Sequence, residues 1–149
     1  MSDVNKIKGG ILTFEQFRGT KNLGSSRIRG EWVIDKWPEV EPFVQGRKYE
    51  FCIYQKAYFV DHAKAFTGKK IFDICDPNFL NWGYRTVEMI EECDAVTTST
   101  EALAEQMRRF TDKPVFCVPD RINLDEIKKK KYHKESIVTG KQLLGVKRA

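Results

Sequence analysis

Carboxylate and amide side chains follow one apolar run of the sequence. Residues 68–79 read "GKKIFDICDPNF", in which the run "IFDIC" has the composition of a buried strand but contains Asp73. Pro77 ends the run because proline has no N–H to donate to a neighbouring strand. Asp76 and Asn78 flank this proline, and such groups accept hydrogen bonds from hydroxyl groups. The segment therefore predicts a polar crevice. The simpler alternative is that Asp76 caps a turn, while Asp73 lies at a sheet edge or pairs with a nearby Lys or Arg.

The segment "NLGSSRIRG" has side chains and backbone suited to anions. Gly24 lets the backbone approach a ligand closely, and Ser25 or Ser26 can cap the helix that follows. Free amides at a helix start attract anions, and Arg27 and Arg29 would add charge-assisted hydrogen bonds. The spacing matches neither the GxGxxG dinucleotide pattern nor a P-loop, and a capped helix with solvated arginines is the alternative.

Strand-like and helix-like segments alternate along the chain. Apolar runs predict strands at 9–14, 49–55, 69–75, 94–99 and 113–119, and helical spacing predicts helices at 26–37, 58–66, 84–93, 98–110 and from 123. A polar loop is expected at 18–26. Repeated strand–helix units with short connections predict an α/β fold, a Rossmann-like open parallel sheet with helices on both faces. Ligands bind such sheets outside the carboxyl ends of the strands.

Local signals predict how three of these helices begin, end and face the core. Gly68 is a typical C-terminal stop for the helix at 58–66. Thr98 followed by Glu101 predicts a capping box at the start of the helix at 98–110. The apolar stripes are expected to be Val87, Met89 and Ile90 in one helix and Leu103, Met107 and Phe110 in the next.

The composition argues against several classes of protein. A chain of 149 residues with 41% hydrophobic residues is typical of a globular protein. It has no apolar run of about 18 residues, which a membrane-spanning helix needs, and a polar N-terminus without a signal peptide favours the cytoplasm. The four cysteines form no CxxC pair, so we expect buried reduced thiols and no metal site. The two histidines, His62 and His133, are expected to be ordinary surface residues.

The net charge of +5 is unevenly distributed. From Glu126 to the end there are eight Lys or Arg and two Glu, a net charge of +6, which leaves −1 for the rest of the chain. A basic tail binds polyanions weakly and in a salt-dependent way. We therefore expect no specific nucleic-acid partner.

An ordered set of segments resembles a known family. The segments are "GSSRIRG", "YEFCIYQKAY", "GKKIFDICDPNF", "ECDAVTTSTEALAEQMRRF" and "KPVFCVPDRINLD". In this order they resemble the N-terminal domain of GT-B glycosyltransferases of the family 4-like kind, over roughly residues 9 to 125. The resemblance implies two Rossmann-like domains that face each other across a cleft. The N-terminal domain would hold a glycan or other hydroxyl acceptor and the other a nucleotide-sugar donor, with no catalytic metal or further cofactor.

The resemblance also implies roles for individual residues. One loop would border the cleft and reach the donor phosphates: Gly24, Ser25 and Ser26, followed by Arg27 and Arg29. Strand ends near the acceptor would contribute Lys56, Asp73, Asp76 and Asn78. Asp76 is the candidate catalytic residue, which would hold or deprotonate the acceptor hydroxyl. Ser99 and Glu101 match a turn that faces the domain interface, although the capping box is a competing role for Glu101.

The resemblance divides the chain into two parts. Residues 1–125 correspond to the acceptor-side domain. Residues 126–149 correspond to a basic linker or tail at the start of a donor-binding domain, and we expect the body of that domain to be missing from these 149 residues. Asp120-Arg121 replaces the Asn-Gly common in the family. We expect the chain alone to be inactive and to need a donor-domain subunit or further chain.

The alternative is a stand-alone Rossmann-like module that binds a sugar, a nucleotide or a protein. In this reading "NFLNWGY", with Phe79, Trp82 and Tyr84, is a docking patch or a sugar-stacking platform, unless it packs under a loop.

Overall fold

The computed structural model describes residues 7–126, which form a six-stranded parallel sheet with helices. The strands are β1 (Gly9–Leu12), β2 (Val40–Pro42), β3 (Phe51–Gln55), β4 (Lys69–Ile74), β5 (Ala95–Thr98) and β6 (Val115–Cys117). Their order is β2-β1-β3-β4-β5-β6, and every neighbouring pair is parallel. The α/β, Rossmann-like prediction is confirmed.

Seven short α-helices accompany the sheet. They are α1 (Phe14–Arg18), α2 (Gly24–Ser26), α3 (Trp32–Lys36), α4 (Val60–Ala65), α5 (Asn78–Trp82), α6 (Thr86–Glu92) and α7 (Glu101–Met107) in the described part of the chain. A π-helical turn, Arg27–Glu31, joins α2 to α3. These three pieces form one helical segment, 24–36, close to the helix predicted at 26–37.

The two faces of the sheet are covered by different connections. The chain advances across the sheet from β3 to β6, so right-handed crossovers place α4, α6 and α7 on one face. The connection from β1 to β2 runs the opposite way, which places the segment 24–36 on the other face. The first face carries the main core, built from these buried side chains: Leu12, Tyr54, Phe72, Ile74, Val96, Met89, Ile90, Leu103 and Met107. On the second face, Ile28 and Val33 line a groove of about 280 Å³ with Ile53 and Ile71.

Three elements, α1, β2 and α5, were absent from the sequence prediction. Helix α1 replaces the end of the strand predicted at 9–14, because Thr13 caps it: Gln16 N–H donates to Thr13 Oγ1 at 3.4 Å, and Thr13 N–H donates to Gln16 Oε1 at 2.8 Å. Strand β2 has only three residues and includes Glu41 and Pro42, so its sequence lacks an apolar run. Proline is tolerated there because β2 is an edge strand of the described sheet.

The predicted capping box is wrong. Thr98 is a buried residue of β5 whose hydroxyl donates to the Thr100 carbonyl at 3.0 Å. The residue that caps α7 is Thr100, whose Oγ1 accepts from the Leu103 N–H at 3.3 Å. Glu101 instead pairs with Arg108 at 2.5 Å. The cap therefore lies two residues further along the chain than predicted, because Thr98 is the last residue of β5.

Two helix faces and one helix stop also differ from the prediction. Val87 and Phe110 are exposed, and Thr86 takes a buried place beside Met89 and Ile90. Helix α4 ends at Phe66 with φ −74°, so it has no left-handed glycine cap. Gly68 is required for another reason, because a Cβ at this position would lie 2.5 Å from the Glu50 carbonyl oxygen.

His62 is not an ordinary surface histidine. It is half-buried, with Nδ1 2.9 Å from the Tyr54 hydroxyl and its ring against Phe43 and Phe66. Burial lowers the pKa of His62. His133, the helix predicted from 123 beyond its first turn, and the basic tail lie outside the described residues.

The four cysteines are free thiols, as predicted. Cys52 and Cys93 are buried, while Cys75 and Cys117 are half-buried. Burial raises the pKa of Cys52, Cys75 and Cys93 to about 12. Over residues 7–126 no helix has the length and apolar character needed to cross a membrane.

Candidate functional site

The candidate site lies at the carboxyl edge of the sheet, where the strand order reverses. Strand β1 has β2 on one side and β3 on the other, and the connections leaving β1 and β3 run in opposite directions. Doubly wound sheets open a ligand crevice at such a point. Lys56 follows β3 directly, and Asp76 follows β4 by two residues.

Lys56 has an unusual backbone and a nearly buried side chain. Its φ is 49°, in the left-handed region that few residues other than glycine adopt. Its N–H donates to the Asp73 carbonyl at 2.8 Å. The side chain is 5% exposed; Nζ pairs with the Asp76 carboxylate and lies 4.4 Å from the centre of the Phe14 ring. Strained backbone of this kind is concentrated at functional sites.

Asp76 is the exposed partner of this ion pair. Its side chain is 51% exposed, and its backbone carbonyl accepts from the Asn78 N–H at 2.9 Å at the start of α5. Both side-chain contacts, from Lys56 and from the Cys75 thiol at 3.5 Å, fall on Oδ2. Among the described residues, Oδ1 is therefore left as an acceptor beside a nearly buried cation.

Arg29 and Asp73 form a second ion pair that is closed to solvent. The two side chains are 7% and 6% exposed and make a bidentate contact, with Nε–Oδ2 at 2.8 Å and Nη2–Oδ1 at 2.5 Å. Arg29 also donates to the Val118 carbonyl at 2.8 Å and to Asp120 at 2.7 Å. The Thr97 hydroxyl donates to Asp73 at 2.7 Å. Asp73 thus follows the simpler alternative and pairs with an arginine.

The charge on Arg29 is stabilised by this network. Burial acts to lower the pKa of the guanidinium, but the hydrogen bonds and negative charges of Asp73 and Asp120 outweigh burial and raise the pKa. The donors and acceptors of the pair are used within the protein. The geometry favours a structural role in holding the helical segment 24–36 and the chain after β6 against β4.

The loop predicted to bind anions contributes mainly structural contacts. Ser26 is buried; its Oγ accepts from the Glu15 N–H at 3.1 Å and donates to Gln55 Oε1 at 3.2 Å. Neither Ser25 nor Ser26 caps the helix, because α2 begins at Gly24 after Leu23, which makes no side-chain cap. Gly24 is exposed and Ser25 half-buried.

Arg27 and Arg29 diverge although they are two residues apart. Arg27 is exposed, with its guanidinium 5.8 Å from the Trp32 ring centre, whereas Arg29 points to Asp73. The structure therefore does not bring the two arginines together.

Ser99 and Glu101 also separate. The Ser99 hydroxyl donates to the Cys75 carbonyl at 3.1 Å and fixes the backbone just before Asp76. Glu101 is exposed and engaged with Arg108. Of the predicted residues, the crevice brings together Lys56, Asp76 and Asn78, with Ser99 in support.

Sequence reasoning missed Phe14 and Arg18, which lie on the unpredicted helix α1. Phe14 lies under Lys56, and its N–H donates to the buried Gln55 Oε1 at 3.0 Å. Arg18 donates to the Tyr84 hydroxyl at 2.7 Å. The signal that could have found them is the capping pattern "TFEQ" at 13–16, directly after an apolar run.

The segment "NFLNWGY" is divided between packing and exposure. Phe79 packs edge-on against Phe110 with ring centres 6.2 Å apart, and Tyr84 packs against Phe14 at 6.1 Å. Trp82 is 64% exposed, and the Arg18 guanidinium lies 6.0 Å from its ring centre. One aromatic of the three is therefore free to meet a ligand.

The arrangement can bind a hydroxyl group through a carboxylate held in place by an ammonium. Over residues 7–126 no group of three or more His, Cys, Asp or Glu side chains could hold a metal ion. A scan of protein-family models and comparisons with curated proteins and with solved structures give no match for this chain.

Proposed function

We propose that this chain is the acceptor-binding half of a glycosyltransferase. It holds a glycan or other hydroxyl acceptor at the carboxyl edge, and a second unit binds the nucleotide-sugar donor. The observation that carries the proposal is the half-exposed Asp76 carboxylate, held by the nearly buried Lys56 ammonium where the strand order reverses. The ordered motifs from "GSSRIRG" to "KPVFCVPDRINLD" support the same assignment.

Asp76 orients the acceptor hydroxyl in this proposal. Its Oδ1 accepts the hydroxyl hydrogen, while Lys56 fixes Oδ2 and thereby the direction of the carboxylate. Holding two reactants in the correct geometry supplies a large part of the rate of a two-substrate reaction. Asn78 begins α5, and its backbone N–H donates to the Asp76 backbone carbonyl at 2.9 Å, which fixes the chain just after the carboxylate.

The donor-facing role falls to the outer residues of the loop before α3. Ser26 and Arg29 are engaged within the chain, which leaves Gly24, Ser25 and Arg27 with exposed or half-exposed positions. In the proposal these three face the donor phosphates once the second unit is present. No metal or further cofactor is assigned, since the nucleotide sugar is a substrate.

The test is an amide NMR titration of the full chain with neutral trisaccharides and, separately, with UDP. We expect a trisaccharide to shift the amides of Lys56, Asp76 and Asn78. Asp76→Asn should weaken binding about 10-fold or more, as expected for the loss of a hydrogen bond to a charged group. The control is Asp112→Asn, an exposed carboxylate that precedes β6 at the opposite, amino edge of the sheet. Absence of shifts with every saccharide tested would contradict the proposal.

A stand-alone sugar-binding module is the second candidate. The same exposed carboxylate favours it, because holding a hydroxyl requires no reaction. The two candidates differ at the loop before α3. If UDP added to the sugar-bound chain shifts Gly24, Ser25 and Arg27, the acceptor half is favoured. If sugar binds and UDP shifts none of them, the module is favoured.

A further inference from the structure

A continuous strip of touching side chains leads away from the candidate site. The edge strip consists of Asp76, Lys56, Phe14, Tyr84, Arg18 and Trp82, each in contact with the next. It runs along the carboxyl edge between α1, which follows β1, and α5, which follows β4. Its two ends are both accessible and differ in chemistry. Asp76 presents a carboxylate, and Trp82 presents an aromatic ring.

The middle of the edge strip is rigid. The Tyr84 ring stacks on Tyr58 with centres 4.6 Å apart and meets Phe17 edge-on at 5.6 Å. Tyr58 is buried against Phe72 in the main core. Left-handed glycines, Gly19 and Gly83, close the two helices that carry Arg18 and Trp82. A ligand would meet surfaces that are already in position, which reduces the entropy lost on binding.

The cations of the edge strip are already engaged. Lys56 is paired with Asp76, and Arg18 contacts the Tyr84 hydroxyl and the Trp82 ring. Arg18 is exposed, but its guanidinium already contacts Tyr84 and Trp82, so the strip presents an aromatic surface at one end and a carboxylate acceptor at the other. A sugar ring presents both complements, because it has an apolar C–H face and hydroxyl groups around its rim. A cationic ligand would be repelled by Arg18 and Lys56.

We infer that Trp82 is a second contact of the acceptor, so that the ligand is an oligosaccharide lying along the edge strip. One sugar unit donates a hydrogen bond from a hydroxyl group to Asp76. A further unit stacks on the Trp82 ring, which Arg18 holds in position. This inference rests on the proposed function and specifies its substrate as a glycan of more than one sugar. Trp82 is a specificity residue that selects for length.

The experiment is a calorimetric and fluorescence titration of the full chain with glucose, maltose and maltotriose, repeated with the cellulose and mannan series. For the series that binds, affinity should rise with length. Trp82→Ala should lower the affinity for the longer saccharides about 10-fold, which is the scale of an aromatic contact. The same substitution should leave the affinity for the monosaccharide unchanged. The matched control is Leu80→Ala, an exposed residue of the same helix, which should bind like the wild type.

The outcomes separate the inference from the proposed function. Length-dependent affinity that is lost in Trp82→Ala and kept in Leu80→Ala supports the inference. If Trp82→Ala binds every saccharide like the wild type while Asp76→Asn does not, the inference is overturned and the proposed function stands. If no saccharide of any series binds, both fail. Quenching of the Trp82 fluorescence by UDP in place of saccharides also overturns the inference.

Discussion

Asp73 and Asp76 lie three residues apart and each forms an ion pair. The two pairs differ in their exposure to solvent and in the number of hydrogen bonds they share with the rest of the protein. Arg29 and Asp73 are both almost inaccessible and share further hydrogen bonds with Thr97, Asp120 and a backbone carbonyl. In the other pair Lys56 is nearly buried while Asp76 is half exposed. A saturated pair has no acceptor left for a ligand, whereas a half-open pair presents a carboxylate whose direction is fixed. Exposure of one partner therefore separates a structural pair from a binding group.

The largest expected effect comes from breaking the closed pair. Arg29→Met leaves Asp73 buried without its cation, and removal of one partner of a buried pair costs about 3–5 kcal/mol of unfolding free energy. Urea denaturation followed by circular dichroism measures this loss. The matched control is Arg27→Met, two residues away and exposed, which should cost less than about 0.5 kcal/mol. Equal losses in the two variants would contradict the structural role of Arg29.

The second prediction compares the two carboxylates directly. Asp73→Asn should lower the unfolding free energy by about 2 kcal/mol or more, because buried Arg29 loses its counter-charge. Asp76→Asn should cost less than Asp73→Asn, because Asp76 is half exposed and water partly screens its attraction to Lys56. Urea midpoints of both variants at pH 7 provide the measurement. A larger loss in Asp76→Asn would reverse the assignment of roles.

The third prediction concerns how open the half-exposed pair is. Cys75 lies beside Asp76, and burial raises the pKa of its thiol to about 12. Only the thiolate reacts with alkylating reagents, so at pH 8 native Cys75 should react about 100-fold or more slowly than free cysteine. Mass spectrometry of iodoacetamide-labelled peptides measures the rate. Labelling in urea is the control. Rapid labelling of native Cys75 would mean that its thiol is exposed to solvent and would contradict its burial beside Asp76.

The smallest effect should come from His62, which lies away from both pairs. Its pKa is lowered by burial from the ordinary value of 6.5, so the unfolded chain binds the proton more tightly. Its contribution to stability is therefore present above pH 6.5 and is lost as the pH falls through that value, levelling off below the folded-state pKa. Urea midpoints from pH 8 to pH 5 should fall less in His62→Gln than in the wild type. Parallel curves would exclude this contribution.

The sequence predicted the fold better than the site, for a physical reason. A parallel sheet is buried on both faces, so its strands appear as apolar runs, and β1, β3 and β4 are visible in this way. Strand β2 and helix α1 are too short to carry such a pattern. The Thr98–Glu101 pair had the spacing of a capping box, but pairing of β5 with β6 continues through Thr98 and moved the cap to Thr100.

Sequence alone placed Lys56, Asp73, Asp76 and Arg29 among the candidates, but it could not divide them into pairs. The partner of each charge depends on which strand ends and helices meet, and these contacts join residues 20 to 91 positions apart. Phe14 and Arg18 entered the site for the same reason, through contacts with Lys56 and Tyr84 across the carboxyl edge.

The sequence by itself determined an α/β chain, with polar residues at the ends of apolar strands and free thiols in or beside them. Local composition is sufficient for this, because secondary structure and strand ends follow from nearby residues. Tertiary structure alone decided that Asp73 is closed and Asp76 open, and that Trp82 is exposed while Tyr84 packs. Accessibility is a property of packing between distant segments, and no local pattern records it.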